Sequence, residues 1–473
     1  MTRWRVLVVA LAVVMIAATA IALQAERAPG AAAATGVRTA LTPVLSARRV
    51  PELIAAPVAD RRLVAHLNDL VSRTPGSSCL TVAVDGRTVF SSESTSPIIP
   101  ASVEKLATAQ AALSKLDPNA VLTTSVKTGS PPHDGVVDGD IWLVGGGDPL
   151  LMTDAYAEHF KHQPVTHTDF EALADRVVAA GVHEVRGSVV GDDSRYDRAR
   201  VVPQWADEAI TAHDIGPLGA LVVNDGLTQF PPTSDARTPR ETAAVDPATD
   251  AANQLTRLLQ ARGVVVMGAP ASGSAPRDAT EVAKLESPPI DQVVATMVRE
   301  SDNEAAELLT KEIGLHDTGA GTTANGIAGI RQVFQDRNLP LDGVAQVDGS
   351  GLSRDDQVTC AFVQALLDAE GPASTLAKDM PVAGQTGTLA ERFVGTPIVG
   401  QLRAKTGTLN QVTALAGYVQ TARGAQMSFS YIINLPPPKV ITSDDVALED
   451  ELGAILFQYP ETPDINALGP KRG

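Results

Sequence analysis

Apolar residues follow two periods along this chain, one helical and one strand-like. Helical spacing predicts a helix over 57–70. Two short apolar runs follow at 79–84 and 88–90, and Asp85-Gly86 between them is a strong signal for a two-residue hairpin turn. The helical period returns after Pro100, so we expect a two-stranded hairpin that leads into a helix.

The C-terminal third has helices first and strands afterwards. A helix from residue 288 breaks at Ser301-Asp-Asn303 and resumes to Ile313, where Gly314 is the expected C-cap. The other predicted elements are a helix at 358–367, strands at 402–408, 412–419 and 426–433, and a closing helix at 444–458. The third of these strands alternates apolar with polar or smaller residues, so one sheet face is buried; its apolar members are Met427, Phe429, Tyr431 and Ile433.

Residues 118–286 differ in texture, with short strands, glycine turns and helix patterns around 170–180 and 250–261. We interpret this stretch as one or more inserted accessory domains. The simplest assembly pairs the N-terminal hairpin with the C-terminal strands in one antiparallel sheet covered by helices. The predicted class is therefore α/β (α+β), with a main domain formed by 51–117 and 287–473.

Composition and charge narrow the class of protein. The 473 residues are 44% hydrophobic and 20% charged, as in globular proteins. The formal net charge of -17 disfavours nucleic acid as a partner and simple electrostatic docking on anionic lipid.

The N-terminus has the pattern of an export signal. Two arginines lie in the first five residues, and the uncharged, almost wholly apolar run 6–23 follows. Residues 1–25 are either a cleaved signal peptide or a retained anchor that would contact the membrane. Residues 26–50 are rich in alanine and are the expected flexible linker. We expect a protein of the periplasm, cell envelope or extracellular space.

Cys79 and Cys360 are the two cysteines. In an exported protein they could form a disulfide, or they could be two buried thiols. The sequence leaves both alternatives open.

The helix after Pro100 places a hydroxyl beside an amine. Ser102 and Lys105 are three residues apart and therefore lie on the same helix face. Lys105 can take the proton of the Ser102 hydroxyl if the amine is neutral, and burial and the helix dipole both lower its pKa. Ser102 is the candidate nucleophile and Lys105 the candidate base.

Two further motifs follow in order, Ser301-Asp-Asn303 and Lys405-Thr-Gly407. Ser301 and Lys405 could relay a proton to a leaving amine, and Asn303 could hold a substrate amide. The third motif and the residue after it supply four candidates for substrate binding. Lys405 offers a charge and Thr406 a hydroxyl to a substrate carboxylate, and Gly407 allows close approach. The backbone N–H of Thr408 would complete an oxyanion hole with that of Ser102.

Three other patterns look chemical but are not assigned to the site. Lys127-Thr-Gly129 repeats the third motif but precedes Ser301 and leads into a turn, while Gln385-Thr-Gly-Thr388 has no lysine. The histidine cluster is a polar loop, so we expect no metal site and no cofactor; its members are His159, His162 and His167.

The three motifs occur together, in this order, in penicillin-binding proteins and serine β-lactamases. The chain resembles the class C low-molecular-mass penicillin-binding proteins, the D-alanyl-D-alanine carboxypeptidase/endopeptidase (peptidase S13-like) family. The resemblance runs from about residue 57 onward and extends to Val144-Gly-Gly-Gly-Asp-Pro149, Asp192-Asp-Ser194, Asp348-Gly-Ser-Gly-Leu-Ser-Arg354 and Ala414-Leu-Ala-Gly-Tyr418.

The resemblance implies a serine β-lactamase/DD-transpeptidase-like core with a five-stranded antiparallel sheet. It also implies that an acidic residue of the insertion binds the free amine of a diaminopimelate stem peptide. Asp192 matches that position, with Asp193 as the alternative in register, and Arg354 would line the same cleft.

The implied activity is cleavage of D-alanyl-D-alanine bonds or D-amino-acid cross-links in peptidoglycan stem peptides through a Ser102 acyl-enzyme. β-Lactams should acylate Ser102. The alternatives are a β-lactamase or esterase on the same core, and a non-catalytic cell-wall scaffold. Carboxypeptidase and endopeptidase activity use the same groups, so both remain open.

Overall fold

The structure is a computed structural model that describes residues 51–461, apart from 213, 234, 235 and 237. The predicted export signal and linker, residues 1–50, lie outside the described residues. Within the described part, no helix is both long and apolar enough to cross a membrane. The α-helices are α1 Pro51–Arg73, α2 Lys105–Lys115, α3 Asp154–His159, α4 Phe170–Ala179, α5 Asp207–Thr211, α6 Pro247–Ala261, α7 Ile290–Glu300, α8 Asn303–Thr318, α9 Thr323–Asp336, α10 Cys360–Glu370, α11 Thr375–Asp379 and α12 Ser443–Phe457.

Strands and short 3₁₀ helices complete the fold. The strands are β1 Ser77–Val84, β2 Arg87–Ser92, β3 Thr123–Thr128, β4 Val136–Val137, β5 Ile141–Val144, β6 Leu151–Met152, β7 Thr168–Asp169, β8 Glu184–Val185, β9 Val189–Asp192, β10 Leu227–Gln229, β11 Thr242–Ala243, β12 Val265–Val266, β13 Ala271–Ser272, β14 Thr280–Glu286, β15 Leu402–Leu409, β16 Val412–Gln420 and β17 Gln426–Asn434. The 3₁₀ helices are Ala101–Glu104, Asn224–Gly226 and Gly387–Leu389.

The main sheet joins the two ends of the chain. Its order is β15-β16-β17-β1-β2, and every neighbouring pair is antiparallel. The N-terminal hairpin therefore lies beside the C-terminal strands, and the predicted five-stranded antiparallel sheet is confirmed. β15 is an edge strand of this sheet, so the backbone groups along its outer side are available to other parts of the molecule.

Helices cover both faces of the main sheet. The apolar residues of β17 pack with α1 and α12, as their alternation predicts. The opposite face packs against α10 and shares one apolar cluster with α2, α7 and α8. On this face of β17 lie the polar residues Ser428 and Ser430, which are also buried because α10 lies over them.

Residues 118–286 form a second five-stranded sheet of order β13-β9-β5-β3-β14. Its strands pair in both directions, since β3 is antiparallel to β5 and β14 whereas β9 is parallel to β5 and β13. Helices α4 and α6 pack on this sheet around a separate apolar cluster. The first and last of these strands, β3 and β14, pair with each other, so the chain enters and leaves this region at one place.

The prediction that Gly314 ends a helix is wrong. Helix α8 continues to Thr318, and Gly319, with φ of 77°, is its C-cap. Gly314 lies inside the helix because α9 crosses there, and a Cβ at this position would come within 2.8 Å of the Gly326 nitrogen and the Thr322 carbonyl oxygen. The glycine therefore allows close packing of two helices rather than a turn.

Cys79 and Cys360 form a disulfide with a Cα–Cα distance of 5.9 Å. The bond joins β1 to the first residue of α10 and is buried, with both residues at most 1% exposed. Of the two alternatives that the sequence leaves open, the structure has the disulfide.

Candidate active site

Ser102 lies in the 3₁₀ turn Ala101–Glu104, directly before α2. Ala101 is fully buried and has φ of 47°, an unusual backbone conformation for a residue other than glycine. Lys105 is the first residue of α2, and its Nζ lies 3.0 Å from the Ser102 Oγ. The contact predicted from their spacing is therefore present.

Lys105 has two other hydrogen-bond partners. Its Nζ donates to the Asn303 Oδ1 at 2.6 Å and to the Ser350 carbonyl oxygen at 2.7 Å. A neutral amine has two N–H groups and one lone pair, so the two carbonyl oxygens can take both N–H groups. The lone pair is then left for the Ser102 hydroxyl, which is the arrangement that a general base requires.

Burial lowers the pKa of Lys105 to about 8, because a charged amine is costly away from water. The side chain is fully buried. Nearby carboxylates oppose this effect and raise the pKa; in order of size they are Asp348, Glu307, Asp302 and Glu104. Lys105 can therefore exchange its proton close to neutral pH.

The loop 348–353 holds the Ser350 carbonyl in place. The Asp348 carboxylate accepts the N–H groups of Ser350, Gly351 and Ser353 and the indole N–H of Trp205, at 2.6 to 3.0 Å. Glu307 accepts the N–H groups of Gly349 and Ser350 at 3.0 and 2.9 Å. Both carboxylates are fully buried, so they fix this loop against α8 and Lys105.

Gly351 connects the same loop to the nucleophile. Its φ is 79°, and a Cβ there would lie 2.0 Å from the carbonyl oxygen of Ala101. No larger residue fits between the loop and the turn that carries Ser102. The sequence indicates a glycine turn in Asp348-Gly-Ser-Gly351, but not this contact.

Ser301 lies between α7 and α8 in the left-handed conformation, with φ of 63°. Lys405 on β15 is fully buried, and its Nζ donates to the Ser301 Oγ and the Thr406 carbonyl oxygen, each at 2.8 Å. Burial lowers the pKa of Lys405 well below its usual value, and the nearby charge of Lys105 adds to that effect. Strained backbone at Ser301 is thus held beside an amine, as at many functional sites.

Asn303 bridges the catalytic helices and the insertion. Its Oδ1 accepts from Lys105, and its Nδ2 donates to the carbonyl oxygen of Asp214 at 2.7 Å. Three of the predicted site residues therefore belong to one connected set of contacts, Ser102, Lys105 and Asn303. Ser301 lines the same cleft and forms a second pair with Lys405, which lies behind it.

An open cleft of about 830 Å³ passes over these groups. Ser102, Ser301 and Asn303 line it, together with Thr406 and Thr408 of β15. Lys405 and Gly407 do not line the cleft, because successive positions along a strand face opposite sides of the sheet. A Cβ on Gly407 would lie 2.8 Å from the Pro100 carbonyl oxygen, so this glycine lets β15 pack against the nucleophile turn.

Arg354 is exposed and lines the cleft, as the resemblance implies. Asp192 and Asp193 are not brought into it. Asp192 accepts the N–H groups of Ser194 and Ala275 at 2.9 and 2.8 Å, which stabilises a turn of the insertion. Asp193 forms an ion pair with Arg200 at 2.5 Å. Both acidic groups are buried and have local partners, so neither is placed to bind a substrate amine.

The three patterns not assigned to the site differ in whether they lie at the cleft. Lys127 lies on β3 of the insertion, and ring nitrogens of His159 and His167 lie within hydrogen-bond distance of backbone carbonyl oxygens. Thr388 differs, because it lines the cleft and its Oγ1 lies 2.7 Å from the Thr406 Oγ1. Gln385-Thr-Gly-Thr388 has no lysine, but its Thr388 contributes a hydroxyl to the site that the sequence alone does not assign.

Comparison with known proteins is consistent with this architecture. Residues 62–237 and 231–451 match the D-Ala-D-Ala carboxypeptidase 3 (S13) family. The carboxypeptidase DacB of Mycolicibacterium smegmatis is 31% identical over 411 residues, which are 84% of this chain and 85% of the relative. The D-alanyl-D-alanine carboxypeptidase of Actinomadura sp. (strain R39) is 29% identical over 79% of each chain.

Among solved structures, penicillin binding protein 4 from Haemophilus influenzae shares the fold, with a TM-score of 0.69 at 21% identity. The match covers 83% of this chain and 99% of that protein. The family match extends over most of the chain and includes all three motifs. The chain therefore belongs to the D-Ala-D-Ala carboxypeptidase 3 (S13) family and is an enzyme of the serine peptidase type.

Proposed function

We propose that this enzyme cleaves D-alanyl-D-alanine bonds, and D-amino-acid cross-links, in peptidoglycan stem peptides through an acyl-enzyme on Ser102. The observation that carries the proposal is the position of Lys105, whose buried amine contacts the Ser102 hydroxyl and two fixed carbonyl oxygens. This is the geometry of an activated serine nucleophile.

In the acylation step, Lys105 takes the Ser102 proton while Oγ attacks the carbonyl carbon of the penultimate D-residue. The N–H groups of Ser102 and Thr408 would stabilise the oxyanion that forms. Ser301 lies across the cleft with its Oγ on the Lys405 amine, which supports a role in passing a proton to the leaving nitrogen. Water then hydrolyses the ester and restores Ser102.

Substrate binding would use the groups that face the cleft. Asn303 has its Nδ2 near the cleft surface for a substrate carbonyl, and the Thr406 hydroxyl and the exposed guanidinium of Arg354 suit carboxylates. Lys405 does not line the cleft, so we propose that its amine acts on Ser301 rather than in direct contact with substrate. Residues 118–286 would act as the accessory domain that supplies Asp214 to one wall.

The cleft volume supports more than one substrate. About 830 Å³ lies in the upper part of the range for sites that enclose a drug-sized ligand, and it exceeds what a single D-alanine fills. A cross-linked peptide could therefore place residues on both sides of Ser102. We propose carboxypeptidase and endopeptidase activity at this one site.

The test compares D-alanine release from a stem pentapeptide with cleavage of a cross-linked muropeptide dimer, by wild type and Ser102→Ala. We expect wild type to act on both substrates and the variant on neither. Turnover of penicillin without release of D-alanine would contradict the proposal and favour a β-lactamase. Equal phenotypic rescue by wild type and Ser102→Ala in cells would favour a scaffold.

The pKa of Lys105 predicts a pH dependence. A base acts only when neutral, so acylation by benzylpenicillin should accelerate as the pH rises through about 8 and level off above it. Well below that pH the rate should change by about tenfold per pH unit. Burial raises the pKa of Glu307 to about 8 as well, so this carboxyl titrates over the same pH range and contributes to the observed midpoint. Stopped-flow acylation rates between pH 5.5 and 9.5 check this, and a flat profile would contradict it.

We also propose an exported location. Peptidoglycan lies outside the cytoplasm, the N-terminal sequence has an export pattern, and a disulfide joins Cys79 and Cys360. Whether residues 1–25 are removed or kept as a membrane anchor decides if the N-terminal segment contacts the membrane. Intact mass of the protein from its native envelope distinguishes the two.

A further inference from the structure

Thr388 occupies a place in the cleft that none of the three motifs explains. It belongs to the 3₁₀ turn Gly387–Leu389, is exposed, and lines the same cleft as Ser102. Its Oγ1 lies 2.7 Å from the Oγ1 of Thr406, the hydroxyl that faces the cleft from β15. Two hydroxyl groups from separate parts of the chain thus meet at one point of the cleft wall.

The turn is anchored to the catalytic elements on two sides. Along the edge strand β15, the N–H of Ala383 donates to Leu402 and the N–H of Ala404 donates to Pro381, at 3.0 and 3.1 Å. On the other side, a Cβ on Gly387 would lie 2.3 Å from the carbonyl oxygen of Arg299. Arg299 lies two residues before Ser301, so the turn is packed between β15 and the end of α7.

The next residue holds the turn from below. Leu389 is fully buried in the apolar cluster beneath the main sheet. Backbone contacts and this side chain therefore fix the position of Thr388, although its own side chain is exposed. An exposed hydroxyl on a fixed turn is suited to contact a ligand with little loss of conformational entropy.

Hydrogen-bond counting indicates what the ligand supplies. The two hydroxyls have two protons between them, and their mutual contact uses one. The other proton is available to an external acceptor, and a hydrogen bond strengthens when its donor oxygen itself accepts one. A carboxylate is an acceptor with two oxygens, so it can also replace the mutual contact and accept from both hydroxyls.

The geometry points to Thr388 as a substrate-binding residue that, with Thr406, holds the carboxylate of the residue released from the peptide. This assignment rests on the proposed function, since it names the group of the substrate that this end of the cleft receives. It adds a second hydroxyl, from outside the three motifs, to the third motif. The terminal carboxylate of a D-alanine and the carboxylate at the D-centre of a cross-linked residue would both satisfy it.

The test measures kcat and KM of wild type, Thr388→Val and Thr388→Ser on a stem pentapeptide with a free terminal carboxylate and on the same peptide as a terminal amide. Valine keeps the branched shape and removes the hydroxyl. We expect Thr388→Val to lower kcat/KM about 10- to 100-fold on the free acid, mainly through KM, as for loss of a hydrogen bond to a charged group. The amide should change less than twofold, and Thr388→Ser should restore the free-acid value.

Thr396→Val is the matched control, because the Thr396 hydroxyl donates to the Phe393 carbonyl oxygen at 2.6 Å and does not line the cleft. Equal losses on acid and amide would assign Thr388 a structural role and overturn the inference, as would no loss on the acid. D-Alanine release by wild type tests the proposed function separately. If wild type does not cleave the peptide, acylation by benzylpenicillin and by its methyl ester gives the same acid-to-neutral comparison for Thr388.

Discussion

Lys105→Met is expected to slow acylation of Ser102 by benzylpenicillin about 100- to 10,000-fold, the usual contribution of a positioned general base. Methionine matches the length of lysine and tolerates burial, so it removes the amine with little loss of packing. The hydroxyl of Ser102 then has no base at the 3.0 Å contact, and the Asn303 Oδ1 loses its donor. The measurement is the second-order acylation rate constant by stopped flow.

Lys115→Met on the same helix is the control for this variant. The Lys115 amine pairs with Asp317 at 2.7 Å, and neither residue lines the cleft. Wild-type rates are expected for it. A Lys105→Met protein that keeps its melting temperature and acylates at more than a tenth of the wild-type rate would remove Lys105 from the role of base.

Lys405→Met is expected to lower kcat/KM for D-alanine release about 100- to 1,000-fold, the range for loss of one preorganised polar group in a catalytic site. The Ser301 Oγ would lose its only described amine partner, at 2.8 Å, and with it the path for a proton to the leaving nitrogen. Because Lys405 does not line the cleft, the loss should appear mainly in kcat and not in KM.

The chain supplies its own control for Lys405. Lys127 begins a second Lys-Thr-Gly triplet, on β3 of the insertion, so Lys127→Met makes the same chemical change outside the site. We expect wild-type kinetics from it. If Lys405→Met and Lys127→Met had equal kinetics, the Lys-Thr-Gly triplet at Lys405 would not be the one that serves catalysis.

The local part of the site could be predicted from the sequence. Ser102 and Lys105 are three residues apart at a helix start, and helix geometry alone brings such side chains together. The break at Ser301-Asp-Asn303 can also be predicted, since polar residues interrupt an apolar helical pattern. The order of the three motifs along the chain then restricts which segments can form the site together.

Other parts of the site could not be predicted because they depend on the backbone. The third partner of Lys105 is the carbonyl of Ser350, and every residue type has a carbonyl. Glu307 acts on that carbonyl through two N–H groups, so its charge in the sequence does not indicate its partner. Only the folded loop 348–353 shows that these groups converge.

Strand geometry separates the two neighbouring residues Lys405 and Thr406 of the third motif. The sequence predicts that both Lys405 and Thr406 serve a substrate carboxylate, but neighbouring side chains on a strand point to opposite sides. The register of β15 places Thr406 toward the cleft and Lys405 inside. Asp192 shows a similar limit, since a matched motif position does not reveal that two backbone N–H groups already occupy its carboxylate.

The most direct test of the account is intact mass and peptide mapping of the purified protein after reaction with benzylpenicillin, for wild type beside Ser102→Ala. We predict one covalent adduct on wild type, on the peptide that contains Ser102, and none on the variant. An adduct on a different residue, or equal labelling of both proteins, would contradict the assignment of Ser102 as the nucleophile.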